Sequence, residues 1–312
     1  MPSSCPLCKK ALPDQAQFCP WCGHALTHAT FICPTCGGEN PMKAHYCIQC
    51  GAALSNQSDA YAHPTSTYTQ PQAIAERFFA LLHRTLAEEQ DLALFDSYMH
   101  RIQNSEFRTI FEARTSQLAQ QVATLQSRAI DPHIAIDTLL DQALEELIDF
   151  LLVHYCADLN VHPLPKAILK YDYANLAQAD LYAMIMDYLD WPSLPEELIY
   201  TNLLEVPEKL MHNALNRFLF VERNERVYFL HDWTLLHTLK AGFAMTDLAI
   251  YWRMSSLEPQ KVYYHHLRHV AIKDDGITIN GKYFYAHPTL HIRLVRLLRK
   301  IQVREQLRPT DE

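Results

Sequence analysis

The sequence predicts a multidomain α+β protein: tandem metal-held modules, then an all-α helical bundle, then an antiparallel β-barrel capped by a helix. Three observations predict it. Eight of the nine cysteines fall in the first 50 residues as four Cys-x-x-Cys pairs. Residues 72–215 contain no glycine and carry apolar residues at helical spacing. From residue 216 the pattern turns to period two, with tight-turn residues between runs and an amphipathic helix at the end. The domains read as 1–54, a linker at 55–71, an acidic helical domain at 72–215, a β domain at 216–306 and a tail at 307–312.

The cysteines repeat at an offset of 28, so that Cys5, Cys8, Cys19 and Cys22 map onto Cys33, Cys36, Cys47 and Cys50. The same offset carries Phe18 onto Tyr46 and Gly23 onto Gly51. A module this short cannot bury enough apolar surface to offset its ordering entropy, so a metal has to hold it. Each quartet supplies four thiolates to one tetrahedral ion; zinc is the natural occupant and iron its chemical competitor. Four protein ligands leave no open position, so two structural Zn2+ ions are expected. His24, His28, His45 and His63 lie nearby but complete no quartet, and they read as surface residues. The start, Met1-Pro2-Ser3-Ser4, has no basic stretch and no apolar core, so the expected location is the reducing cytoplasm, where disulfides rarely persist. The stretches CPLCKKALPDQAQFCPWCGHAL and CPTCGGENPMKAHYCIQCGAAL resemble the double zinc ribbon family. That resemblance implies the metal and leaves the function open, since such ribbons serve as adaptors, nucleic-acid contacts and structural caps.

No run of 18 apolar residues occurs, so no membrane span is expected; residues 147–155 come nearest and are interrupted by Asp149 and His154. Cys156 sits in an apolar helical pattern and reads as a small core residue. Charge is uneven: residues 56–215 carry a net −14 and residues 216–312 a net +5. Nucleic-acid binding rests on clustered cations, and the first 55 residues offer only Lys9, Lys10 and Lys43.

The linker is polar, rich in Ser and Thr and aperiodic. Helices are expected over 72–89, 91–126 with a break near Asn104, 132–157, 174–190 and 195–215. Asp131-Pro132 and Leu194-Pro195-Glu196-Glu197 read as helix starts. The helix after Pro132 presents Ile136, Leu139, Leu140, Ala143, Leu144, Leu147, Ile148, Leu151 and Leu152 as a buried stripe. It also carries Asp137, Asp141, Glu145 and Asp149 at four-residue steps, a repulsive ridge that solvent can screen or a cation can relieve. Arg293, Arg296, Lys300 and Arg304 form a basic ridge on the last helix. A solvated ridge is the plainer reading, and docking of the two ridges is the alternative intramolecular contact.

In the β domain, 218–221 and 227–230 flank Arg223-Asn224-Glu225 as a hairpin, followed by strands at 241–245, 248–253, 261–265, 268–273, 276–279 and 282–285. Asp274-Asp275-Gly276 and Asn280-Gly281 supply tight turns. A final helix at 289–305 has Leu290, Leu294, Leu297, Leu298 and Ile301 on its apolar face. Thr246-Asp247, Ile250-Tyr251-Trp252 and the Gly276-to-Gly281 stretch resemble bacterial pleckstrin-homology-like domains, with Ala249 where those carry glycine. The resemblance implies a strand barrel with a plugging helix, a binding or scaffolding module.

No phosphate loop, serine elbow or reactive Cys–His pair is visible, and no catalytic residue is expected. His231-Asp232 follows a strand and lacks supporting helical ligands; His265, His266 and His269 alternate faces. The reading is a non-catalytic adaptor that recognises protein partners through ribbon and barrel surfaces. The alternatives are a nucleic-acid-associated ribbon protein and an enzyme whose site lies in the helical domain.

Overall fold

A computed structural model describes residues 9–11, 30–32, 39–41, 68–128, 133–194, 198–255 and 257–308. The chain divides into two compact units, Met1–Val161 and His162–Glu312. The expected boundary at 215/216 is not where this division falls: residues 162–215 belong with the strands.

In the first unit, β1 (Thr30–Ile32) and β2 (Glu39–Pro41) pair antiparallel, with Ile32 opposite Glu39. Helices α1 (Pro71–Glu89), α2 (Phe95–Gln103), α3 (Phe107–Arg128) and α4 (His133–Phe150) follow. The linker ends earlier than its composition predicts. Tyr68 is buried, the Arg77 guanidinium lies 5.3 Å from its ring centroid, and Pro71 opens α1. Its residues 55–67 and the start signal Asp131-Pro132 lie outside the described residues. The break near Asn104 is present: Asn104 caps α2, its side-chain amide donating to the His100 carbonyl.

Of the α4 stripe, Ile136, Leu140, Ala143, Leu144, Leu147 and Ile148 are buried, as are Leu151 and Leu152 in the π-helical turn Leu151–Tyr155 that follows. Carbonyls freed by that turn are taken up locally. Arg101 donates to Tyr155 O and grips Asp158 with both terminal nitrogens, and Asn160 donates to Leu152 O. Phe78, Phe79, Phe107 and Phe111 fill the space between α1 and α3, with centroids 4.8 to 6.2 Å apart.

The second unit holds α5 (Leu181–Leu189), α6 (Glu208–Arg217), α7 (Pro288–Leu307) and two antiparallel sheets. One sheet runs in the order β3 (Leu198–Tyr200), β4 (Val227–Asp232), β5 (Gly242–Thr246), β6 (Ala249–Arg253), β7 (Gln260–Tyr263). The other is a meander of β8 (Val270–Lys273), β9 (Gly276–Ile279) and β10 (Lys282–Phe284). All five apolar positions expected on the last helix are fully buried, and α7 packs on α5, β8 and β9. Asn280 and Gly281, both at positive φ, make the turn into β10, as a two-residue Asn-Gly hairpin requires. A Cβ on Gly242, at φ 155°, would sit 1.9 Å from the His231 carbonyl oxygen, so the β4–β5 pairing admits no side chain there.

Three expectations are corrected. The helix expected at 195–215 gives way to β3, a 3-10 turn at Leu203–Glu205 and the shorter α6. Pro207 explains it, because an interior proline costs a helix about 3 kcal/mol, whereas here Pro207 serves as the N-cap of α6. Residues 218–221 are not a strand. The N–H groups of Phe218 and Leu219 both donate to Ala214 O at the end of α6, and both side chains are buried in the core. The hairpin turn at 223–224 survives, but β4 takes β3 as its neighbour instead.

The sheets also do not close into a barrel. Side chains rather than a backbone ladder join the two sheets: Trp252 Nε1 of β6 donates to Tyr283 O of β10 at 2.9 Å, and Lys282 Nζ of β10 donates to Lys261 O of β7 at 2.9 Å. Ala249 is buried at the start of β6, and the turn before it is made by Thr246, whose hydroxyl accepts the Leu248 and Ala249 N–H groups.

Candidate functional site

The eight expected ligands, Cys5, Cys8, Cys19, Cys22, Cys33, Cys36, Cys47 and Cys50, lie outside the described residues. Two described neighbours fit a thiolate knuckle. Lys9, directly after Cys8, has φ 60°, a left-handed conformation in which the chain turns sharply after the second cysteine of a pair. At the repeat offset of 28 its counterpart is Gly37, the residue that adopts this conformation most readily. The paired ends of β1 and β2 bracket residues 33–38, which contain Cys33 and Cys36. This Lys9–Gly37 equivalence was readable in the repeat but is recognisable as a turn signal only from the φ angle.

Elsewhere, no three His, Cys, Asp or Glu side chains among the described residues form a metal-binding group. His231 and Asp232 are neighbours on β4 and therefore face opposite sides of the sheet. The His231 ring is fully buried among aromatic rings, 5.6 Å from Trp191 and 5.2 Å from Phe243. Asp232 organises the following loop, as described below. His265 and His266 lie with ring centroids 4.1 Å apart on an exposed 3-10 turn, and His269 is exposed. Cys156 is fully buried, and burial pushes its thiol up to about 12, so it is an inert core residue. In α1, burial pushes the Glu76 carboxyl up to about 7.

The two charged ridges have their identified partners inside their own units. Arg77 of α1 bridges Asp137 and Asp141, at 2.7 Å to each, and so relieves the repulsion between them. Partly exposed pairs of this kind contribute about 0.2–1 kcal/mol each. Arg293 is 3% exposed and donates to the carbonyls of Pro163 and Leu189 and to Ser193 Oγ. Arg304 donates to Ala179 O, and the Lys300 ammonium stands 3.4 Å over the Tyr173 ring. Three cations of the last helix are thereby committed to the interior of their own unit, which weakens α7 as a phosphate-binding surface.

Two features that sequence reading missed stand out in the second unit. The first is a polar cluster on the five-stranded sheet. The Glu225 side chain is fully shielded from solvent and accepts hydrogen bonds from Tyr251 Oη, Thr246 Oγ1 and the Glu222 N–H. Lys261 lies 3.8 Å from Glu225 and 3.3 Å from Glu222, and Tyr263 Oη accepts from Lys261 Nζ and donates to Glu222 Oε1. Tyr263 and Lys261 hold the Glu222 carboxyl below its usual range, while burial raises the Tyr251 hydroxyl. The cluster fastens the 223–224 turn to β5, β6 and β7. Beside it, a small cleft of about 120 Å³ is lined by Trp252, Leu257, Lys282 and Tyr283.

The second is the loop between β4 and β5. Asp232 accepts the Thr234 N–H and hydroxyl through one carboxylate oxygen and the Leu239 N–H through the other. Thr234 Oγ1 accepts the Thr238 N–H, and Asn213 of α6 donates to Thr238 O. His237 and Leu239 are held at φ 51° and 53°, and the buried Leu239 anchors the loop in the core. At its tip Leu235 is 97% and Leu236 84% exposed.

Among the described residues no helix is long and apolar enough to cross a membrane. No curated protein and no solved structure matches the chain. The N-terminal segment does match a family, in accord with the left-handed Lys9 and the β1–β2 pair: residues 5–51, which contain all eight cysteines of the repeat, match the double zinc ribbon family, and membership of that family implies bound zinc.

Proposed function

We propose that this chain is a non-catalytic, zinc-binding adaptor that recognises protein partners through two separate surfaces, the ribbon segment and the C-terminal unit. The observation that carries this reading is the β4–β5 loop, whose clamped backbone holds Leu235 and Leu236 in the open. Two left-handed non-glycine residues in one loop cost on the order of 1 kcal/mol or more each, and strain of that kind collects at functional positions. The loop's exposed polar neighbours, His237 and Lys240, and the absence of any carboxylate from 233 to 246 favour a partner with an apolar groove and an acidic rim. The antiparallel strands followed by a helix agree with a pleckstrin-homology-like binding module, and eight thiolates suit the reducing cytoplasm.

The test is affinity capture with three proteins: the intact chain, a chain lacking residues 1–55, and the double variant Leu235→Ser, Leu236→Ser. Neither leucine is packed, so the double variant is expected to keep its fold, with thermal unfolding unchanged. Partners lost on the serine variant, and a different set lost with the ribbons, are the expected outcome. Identical recovery by all three proteins would remove the proposal.

A further inference from the structure

The start of α7 is fastened by histidines acting as hydrogen-bond acceptors. His287 is the N-cap residue, and its Nδ1 accepts the Thr289 N–H at 3.3 Å. His291, one turn further on and 4% exposed, accepts the Ala286 N–H through Nε2 at 2.5 Å. His162 reaches the same place from the beginning of the unit, with Nδ1 3.3 Å from Thr289 Oγ1. Two backbone donors in the junction between β10 and α7 thus depend on imidazole nitrogens that carry no proton. An imidazolium has donors at both nitrogens and no acceptor, so protonation sets N–H against N–H at each point. It also places positive charge at the positive end of a 20-residue helix.

The surroundings do not cancel this. The groups facing His291 are Asp275 in the β8–β9 turn, which favours its charged form, and His287 and His162, which oppose it. Asp275 is itself bonded by the Tyr283 hydroxyl at 2.5 Å, and the Tyr285 and Phe284 rings pack against the imidazole at 5.5 and 6.4 Å. Burial is the largest influence and favours the neutral ring.

We propose that His291 is an acid-operated latch, closed while its neutral ring accepts the Ala286 N–H and released on protonation, which frees the β10–α7 junction. Burial lowers His291 from about 6.5 to about 4. Between those values an open or unfolded state binds the proton and the native state does not, so stability is full above about pH 6.5, falls as pH drops toward 4, and levels off below. The corresponding opening equilibrium rises roughly 20-fold between pH 7 and pH 5.

Amide hydrogen exchange on the full chain tests this directly. After correction for intrinsic rates, the protection of Ala286 and Thr289 should fall roughly 20-fold from pH 7 to pH 5, while β5 amides change less. In parallel, denaturant midpoints of the wild type and His291→Gln are measured from pH 7 to pH 4. Glutamine offers a carbonyl acceptor that does not titrate, so the variant should flatten the acid slope. A wild-type-like slope in the folded variant would overturn the latch. So would unchanged Ala286 protection at pH 5, a readout that needs no variant at all.

Discussion

Replacing Arg293 by methionine is expected to destabilise the C-terminal unit by about 3–5 kcal/mol, measured as a lower denaturant midpoint with an unchanged slope. The guanidinium is buried and lies where three segments meet. It donates to Pro163 O at 3.0 Å, to Leu189 O at 2.9 Å and to Ser193 Oγ at 2.7 Å, with Asp190 only 3.8 Å away. Methionine fills much of the same volume but strands the Pro163 carbonyl and the last carbonyl of α5 without a donor. Each unsatisfied buried group costs about 1–3 kcal/mol. Burial already lowers the arginine's proton affinity, which marks how much its hydrogen bonds must offset. A lysine variant should recover less than half of the loss, because a point charge cannot span carbonyls set in a fork. A folded methionine variant within 1 kcal/mol of the wild type would show that this tie is dispensable.

Withdrawing zinc is expected to unfold the first 54 residues and leave both helical and sheet units intact. A structural site of four thiolates contributes roughly 10–16 kcal/mol, more than so short a segment can gain from burial. Native mass spectrometry should show two zinc ions on the intact chain, one on Cys19→Ser and one on Cys47→Ser. A chelator should remove the remaining ion and make residues 1–54 sensitive to protease, while the far-ultraviolet signal of the helices persists. Retention of both ions by either serine variant would contradict independent four-cysteine sites and point to ligands shared across the repeats.

What could be read from the chain was whatever is encoded locally. The offset of 28 marked the repeat that the double zinc ribbon match spans, and the α4 and α7 stripes are buried apart from the half-buried Leu139, because helical periodicity depends only on neighbouring residues. Asn280-Gly281 was a reliable turn because both residues tolerate positive φ. Pro207 is legible in the same way, since an interior proline interrupts the helical period that runs across it.

The failures share a cause of another kind. Phe218 to Val221 has the composition of a strand, yet its first N–H groups cap α6, and only the three-dimensional path brings β3 beside β4 in their place. The two sheets meet through the side chains of Trp252 and Lys282, with no backbone ladder between them. Arg293 and Arg304 repeat on α7 as a solvated ridge would, but carbonyls more than 100 residues away draw them inward. By itself the sequence determined the metal-binding repeat, the helical and strand periods and the tight turns, since each follows from residues within one or two turns of each other. Tertiary structure alone decided which cations are buried, which edges stay open, and that Leu235 and Leu236 stand exposed, because each depends on hydrogen-bond partners supplied by distant parts of the chain.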